Sequence, residues 1–291
     1  MIRKRLTIIV GPTAAGKTDY AISLALKFGS PVISCDSRQI YREMKIGTAP
    51  PTPEQLSLVK HYFIFSHSIH DDYTAGQYEM EALPLIETLF ENHDNLVMVG
   101  GSGLYVDAIC KGMDDFPKSD PELRMTLMSR LKTEGLYSLR SELRLLDRES
   151  YDSIDITNPQ RVIRALEVTL MTGRKFSSFK SYTQKKRNFE IEKIVVDRPR
   201  EELYERINLR VEKMMEAGLL EEATGLYQFR KRTALKTVGY SELFDYIDGK
   251  VSLDEAVWLI KRNTRRYAKR QITWWRREGL IPSESIKRRS R

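Results

Sequence analysis

The stretch LTIIVGPTAAGKT, residues 6 to 18, decides how this chain is read. Its first five residues are aliphatic or β-branched and stop at Gly11, the mark of a buried strand that feeds a loop. The next eight, Gly11, Pro12, Thr13, Ala14, Ala15, Gly16, Lys17 and Thr18, satisfy the GxxxxGK[ST] pattern, and a helix is expected to begin near Gly16. Successive backbone N–H groups and the helix N-terminus can then cradle phosphate oxygens. Lys17 would neutralise charge there, and the Thr18 hydroxyl would help to hold Mg²⁺. The loop therefore points to a diphosphate or triphosphate; a glycine turn without a ligand is the bland alternative.

Outward from that motif, further strands are expected at Pro31 to Cys35, His61 to Phe65, Leu96 to Val99 and Ile191 to Val196, with helical segments such as Gln77 to Phe90 between them. This alternation predicts an α/β fold with a mostly parallel sheet covered on both faces. Between the Leu96 and Ile191 strands the pattern is largely helical, including Pro121 to Leu131 and Asn158 to Met171, and reads as an insertion. Three segments are expected: residues 1–115 as the first part of the core, 116–187 as the helical insert, and 188–291 as the second part. In the insert, Asn158 caps a helix, Pro159 takes its first position and Gly173 ends it, so Val162, Ile163, Leu166 and Leu170 share a face while Arg161 and Arg164 project from the other. The polar stretch 180–190 returns the chain to the sheet. The last long helix starts with Ser252 and Glu255 in capping-box spacing and runs to about Arg277. Ala256, Ile260, Tyr267 and Trp274 fall on its apolar face, and Arg262, Arg265, Lys269 and Arg276 on the opposite, outward one.

The rest of the sequence narrows the chemistry. The Leu96 strand runs into Gly100, Gly101, Ser102 and Gly103 with no aspartate where an ATPase of the motor type carries its metal-binding carboxylate. The carboxylate stands instead after the second strand, as Asp36 in CDSRQIY, at the carboxyl edge where open α/β sheets bind ligands. Asp36 is a candidate base; a turn or helix-cap aspartate is the alternative. Arg210 falls inside the apolar stripe of Leu203, Ile207, Val211 and Met214, with Arg206 at its border. A buried guanidinium needs an anion, either a protein carboxylate or a bound diphosphate. His61, His67, His70 and His93 form no recognisable metal-ligand pattern. Ser102 lies outside a nucleophile elbow and reads as part of a turn approaching a ligand.

Composition sets the outer bounds. The 291 residues are 41% hydrophobic and 30% charged, and no apolar run is long enough for a membrane span. Only Cys35 and Cys110 are present, which excludes a disulfide framework and zinc sites built on paired CxxC motifs. The opening MIRKRLTIIVG is not a signal peptide, and the cytoplasm is the expected compartment. Residues 261–291 hold twelve Lys or Arg against Glu278 and Glu284, leaving the remaining 260 residues at −2 of the total +8. A basic excess confined to one end predicts a surface for a polyanion, nucleic acid being the commonest; a solvated basic tail is the alternative.

Together these motifs resemble the tRNA dimethylallyltransferase (tRNA isopentenyltransferase) family. The resemblance rests on GPTAAGKT (11–18), DSRQIYREMKIGTAPP (36–51), VGGSGLYVDAI (99–109), NPQRVIRALEV (158–168), KTVGYSE (236–242) and RRYAKRQITWWRR (265–277). It implies a P-loop NTPase-like core with a helical insert that grips the tRNA anticodon stem-loop. It also implies transfer of a dimethylallyl group from dimethylallyl diphosphate, with Mg²⁺, to N6 of the adenosine just 3′ of the anticodon. By the same resemblance the allylic diphosphate lies on Thr13 to Thr18; Asp36, Ser37, Arg38 and Gln39 meet the target adenosine region; and Ser102, Arg124, Gln160, Arg161, Val162, Ile163 and Arg164 match tRNA-contacting positions. Ser102 stands where threonine is usual, Ala49-Pro50-Pro51 replaces Ala-Lys-Pro, and the zinc finger of eukaryotic members is missing, the last of which favours a bacterial-type enzyme; a monomer is expected, since nothing in the sequence suggests an obligate dimer. The physical task agrees: an adenine amine is a poor nucleophile, so the departing diphosphate must be stabilised by Lys17, Thr18 with Mg²⁺, the loop amides and Arg210, while Asp36 takes the proton. A phosphate-loop kinase of a nucleoside or small metabolite is the alternative enzyme, and an RNA-binding protein with a vestigial loop the non-catalytic one.

Overall fold

The structure is a computed structural model, and it describes residues 4–181 and 185–281. The chain forms two compact units, one built from Met1–Lys111 and Lys186–Arg291, the other from Gly112–Lys185.

The first unit opens with β1 (Arg5–Val10), the phosphate-loop segment, α1 (Lys17–Phe28), β2 (Val32–Ser34), α2 (Pro53–Leu58), β3 (His61–Tyr62), α3 (Ala75–Asn92), β4 (Asn95–Val99) and α4 (Gly103–Cys110). The second unit carries α5 (Pro121–Thr133), α6 (Gly135–Leu146), α7 (Arg148–Ser153) and α8 (Pro159–Thr172). The chain then returns to the first unit as β5 (Glu190–Val195), α9 (Arg200–Glu216), α10 (Leu219–Leu226), α11 (Tyr240–Ile247) and α12 (Leu253–Arg277). The five strands form one wholly parallel sheet in the order β3-β2-β4-β1-β5, with Leu6 opposite both Leu96 and Ile191. The expected α/β fold is therefore the observed one.

Because β1 lies between β4 and β5, and β4 beside β2, the carboxyl ends of four strands deliver their loops to one edge of the sheet. Ile9, Val97 and Val99 pack on Ala21, Ile22 and Ala25 of α1, and the alternate residues Ile8 and Met98 are equally buried, so both faces are covered. The predicted strand from His61 to Phe65 is cut to two residues, because Phe63 and Phe65 adopt φ of 60° and 53° and turn the chain out of the sheet. The α8 register follows its caps: Asn158 accepts from the N–H groups of Gln160 and Arg161, and Gly173 closes the helix at φ 68°.

A second apolar cluster joins Ile40, Tyr41 and Met44 to α9, α10, α11 and α12 through Val211, Leu219, Leu243 and Ile260. A smaller one seats the methyls of Ala14 and Ala15 against Leu203, Ile207 and Ala268. The phosphate loop thus rests on α9 and α12, elements that follow it by nearly the whole chain. Among the described residues no helix is long and apolar enough to cross a membrane.

Candidate active site

At Gly11 the backbone takes φ 143°, and an added Cβ would lie 2.1 Å from Val196 O, so only glycine lets β1 turn here. The loop continues through Ala14 at φ 65° and Gly16 at φ 97° into α1. Four side chains hold it from behind. Arg206 Nε donates to Ala14 O at 2.8 Å, Arg198 Nε to Ala15 O at 2.7 Å and Arg210 Nη1 to Thr13 Oγ1 at 3.3 Å, while Gln271 Oε1 accepts from Thr13 N at 2.8 Å. The carbonyls of Ala14 and Ala15 are thereby occupied, whereas the N–H groups of Gly16, Lys17 and Thr18 have no hydrogen-bond partner among the described residues. Free amides at a helix start are the anion-binding half of a phosphate loop.

The charges around them point the same way. Lys17 Nζ donates to Pro12 O at 2.7 Å, and burial pulls its ammonium down to about 8, helped by Arg210 and opposed by Asp36. Arg210 is also lowered, by burial and then by Arg206. None of Lys17, Arg206 or Arg210 forms an ion pair with a described carboxylate. The protein-carboxylate partner that sequence reasoning left open for Arg210 is thus not there, and the three cations surround a space that asks for an anion.

Asp36 stands after β2, across the cleft. Its Oδ1 accepts from Arg38 N at 2.9 Å and Gln39 N at 3.4 Å, while Oδ2 has no hydrogen-bond partner among the described residues. One oxygen thus closes the turn that the sequence allowed, and the other is left free to face the cleft. Ser102 caps the approach of α4 and links to this wall: its Oγ donates to Ser37 Oγ and accepts from Ser37 N, each at 3.0 Å. Arg38 and Gln39 spend their side chains on structure. The Arg38 guanidinium donates to Thr233 O and Ala234 O, and Gln39 Nε2 to Thr48 O and Ala49 O. The cleft of about 850 Å³ is lined by the loop, by Asp36 to Gln39, by Arg206 and Arg210, and by Lys236, Asn263, Arg266, Tyr267 and Arg270 at its far end.

With this geometry in place, comparison with known proteins is decisive. Residues 39–278 match the family model of the IPP transferases. The chain belongs to that family. It is 50% identical over 276 residues to tRNA dimethylallyltransferase 1 of Phocaeicola vulgatus, covering 95% of this chain and 92% of that protein. Its identity to tRNA dimethylallyltransferase 1 of Bacteroides fragilis is 49% over 281 residues, with 97% and 93% covered. The crystal structure of the full-length tRNA isopentenylpyrophosphate transferase from Bacillus halodurans aligns with a TM-score of 0.67 at 36% identity, over 96% of this chain and 89% of that one. A eukaryotic dimethylallyltransferase crystallised while acting on tRNA aligns with a TM-score of 0.77 at 25% identity, over 94% and 70%. The expected family, its P-loop NTPase-like fold and its class as a transferase are therefore established, with bacterial relatives as expected.

Within this IPP transferase the metal expectation can be tested on the donors present. Thr18 lines the cleft with its hydroxyl unpaired, and no group of three His, Cys, Asp or Glu gathers anywhere among the described residues. Mg²⁺ keeps several waters and takes one or two protein oxygens plus substrate phosphates, so a lone Thr18 hydroxyl beside a diphosphate site fits it.

In the unit Gly112–Lys185, three of the sequence-derived positions need correcting. Val162 and Ile163 are wholly buried with Leu127, Leu139 and Leu143 between α5, α6 and α8, so their side chains cannot touch RNA. Arg124 and Arg164 share one buried carboxylate, donating to Glu167 Oε2 at 3.0 Å and 3.1 Å; Arg124 also donates to Gln160 Oε1 at 2.9 Å and Arg164 to Pro117 O at 2.6 Å. Arg164 is therefore tied inward rather than projecting. Arg161 is exposed.

The outward face of α12 is also shifted from expectation. Arg265 turns in, donating to Asn208 Oδ1 at 2.7 Å, and Arg262 lies over the Trp258 ring at 4.9 Å. Arg266, Lys269, Arg270 and Arg277 are the exposed cations, and Tyr267, expected to pack, lines the cleft. Lys287, Arg288, Arg289 and Arg291 lie outside the described residues. Of the four residues that stitch the loop from behind, sequence reasoning singled out Arg206 and Arg210 and missed Arg198 and Gln271. Arg198 carried no pattern, but Gln271, a polar residue on the packed face of an amphipathic helix, was a signal in plain view.

Proposed function

We propose that this chain transfers the dimethylallyl group of dimethylallyl diphosphate to N6 of the tRNA adenosine immediately 3′ of the anticodon, as a monomer in the cytoplasm. The observation that carries the reading is the pairing of a cation-ringed phosphate loop with a carboxylate whose second oxygen is free, on opposite walls of one cleft. The diphosphate sits on the loop amides of Gly16, Lys17 and Thr18, between Lys17 and Arg210. Mg²⁺, when bound at the Thr18 hydroxyl, supplies further positive charge to the diphosphate.

The N6 lone pair attacks the first allylic carbon, the bond from that carbon to the diphosphate oxygen breaks, and the electron pair leaves with the diphosphate. The adenine lone pair is delocalised into its ring, so leaving-group stabilisation dominates; each well-placed donor of this kind is worth about 3 to 4 kcal/mol. Asp36 Oδ2 orients the amine and receives the proton that N6 loses, a contribution of roughly 10² to 10⁴ in rate. To reach the cleft the adenosine leaves the loop stack, which costs a few kcal/mol, roughly, and is offset by contacts from the helical insert and the exposed cations of α12. The insert surface around Arg124, Gln160 and Arg161 serves the anticodon stem-loop in this reading.

The test offers allyl-labelled dimethylallyl diphosphate and unmodified tRNA bearing adenosine beside the anticodon, with Mg²⁺ and without ATP. Label recovered on N6 of that one adenosine supports the proposal. Unlabelled RNA, together with ATP consumption when small nucleosides are supplied, refutes it in favour of a phosphate-loop kinase.

A further inference from the structure

Gln271 of α12 is buried at the back of the cleft and spans two loops. Its Oε1 accepts from Thr13 N at 2.8 Å and its Nε2 donates to Gly101 O at 3.0 Å. The two partners fix the amide's orientation, since an N–H can only donate and a carbonyl only accept. The fit is close: a Cβ on Gly101 would lie 2.1 Å from Gln271 Nε2, and one on Gly103 would meet the Trp274 ring at 2.3 Å. Glycines at 101 and 103 thus let the turn after β4 lie directly against α12.

What hangs from each end gives this strut its meaning. Thr13 begins the phosphate-binding run and is held by Arg210 through its hydroxyl. Gly101 precedes Ser102, whose hydroxyl fixes Ser37 next to Asp36. Gln271 also occupies the Thr13 amide, which would otherwise be free to reach toward a phosphate. One residue back, Arg270 lies over the Tyr267 ring, and both line the cleft.

We infer that Gln271 is a positioning residue for group transfer: it sets the separation between the leaving-group wall at Thr13 and the acceptor wall at Ser102, Ser37 and Asp36. This rests on the reading that one wall holds the diphosphate and the other the accepting amine. An amide is required because each end needs the opposite hydrogen-bonding role. Glutamate would set a carboxylate oxygen against Gly101 O, and asparagine is one carbon too short to span both.

The experiment compares wild type, Gln271→Met and Gln271→Asn in the full-length chain by thermal unfolding, inorganic pyrophosphate binding, tRNA binding and labelled-allyl transfer. Gln271→Met keeps the volume and removes both hydrogen bonds. The expected result is kcat lowered about 10- to 100-fold with tRNA affinity unchanged and only a modest drop in unfolding temperature from the two lost hydrogen bonds, since small misplacements of reacting groups cost rates of that order. Gln271→Asn is expected to fail to rescue. Unchanged kcat overturns the inference, as does a tighter pyrophosphate complex at unchanged kcat, which would make the Thr13 amide merely masked. A loss of kcat matched by equal losses in unfolding temperature and both affinities overturns it too, in favour of a plain structural role. Failure of the wild-type protein to transfer label while pyrophosphate binding still depends on Gln271 would count against the proposed reaction and not against the strut.

Discussion

Lys17 offers the sharpest test of the site, because its charge and its titration can be separated. Burial, reinforced by Arg210, pulls the ammonium from 10.5 to about 8 in the free protein. The parameter kcat/KM for the allylic diphosphate reports the free enzyme, so it should fall about tenfold per pH unit once pH passes the Lys17 value. In the saturated complex the balance reverses. A diphosphate charge about 4 Å away, at an effective dielectric near 20, contributes about 4 kcal/mol, enough to raise the ammonium by about three pH units. The alkaline limb near 8 should therefore appear in kcat/KM and be absent from kcat. In Lys17→Arg the guanidinium stays charged, and whatever activity remains should lose the limb. Initial rates over varied diphosphate concentration, measured across the pH range at fixed ionic strength, read both parameters. A limb that persists in Lys17→Arg, or a flat wild-type kcat/KM, refutes the assignment.

Stability moves the other way. A lysine depressed in the folded state is most unfavourable while protonated, below its folded value. Between about 8 and 10.5 the unfolded chain binds more protons than the folded one, so stability rises across that window. The difference amounts to at most about 3 kcal/mol and should vanish in Lys17→Met, visible as a flatter pH dependence of urea unfolding. Phosphate binding weakens and the fold strengthens over the same window, a pair of opposite slopes that a generic alkaline transition would not give.

Asp36→Ala should abolish transfer while tRNA affinity stays within about tenfold, and equal loss of both would make Asp36 purely a turn residue. Reversing Arg266 and Arg270 to glutamate should weaken tRNA binding and reduce the slope of log affinity against log salt by about two, one for each phosphate no longer neutralised; an unaltered slope would remove α12 from the RNA surface. Glu222→Ala should cost about 2 to 4 kcal/mol in urea unfolding, because its carboxylate accepts from the successive amides of Lys45, Ile46 and Gly47 and from the Tyr240 hydroxyl. A stability indistinguishable from wild type would show that the segment lining the cleft is held by other contacts.

What the sequence disclosed and what it withheld divide along the range of the interactions. The strand, loop and helix around residues 6–18 were legible because periodicity and glycine placement are local, and α8 was legible because Asn158, Pro159 and Gly173 fix its register. Side-chain destinations were not. On α12 a helical wheel put Arg265 outward, yet Asn208 of α9 captures it and Tyr204 lies under it, so the exposed cations are its neighbours Arg266, Lys269 and Arg270. Val162 and Ile163 entered the RNA-contacting set as part of a continuous run, although their own face predicted burial and burial prevailed.

The phosphate loop itself is held by such long-range contacts. Thr13, Ala14 and Ala15 are held by Gln271, Arg210, Arg206 and Arg198, all from the part of the unit that follows the insertion. A loop held from behind at Thr13, Ala14 and Ala15 cannot easily reorient, so its free amides are fixed before a ligand arrives, and in the proposed reaction little reorganisation would be needed as the diphosphate charge develops. Arg206, Arg210 and Gln271 reach that loop from the two helices that also carry the far wall of the cleft, through Met214, Arg266, Tyr267 and Arg270. In the proposed reaction, leaving-group stabilisation and acceptor placement would thus depend on one packed arrangement, and a substitution far from the motif, such as at Gln271, should reach the chemistry without touching either substrate.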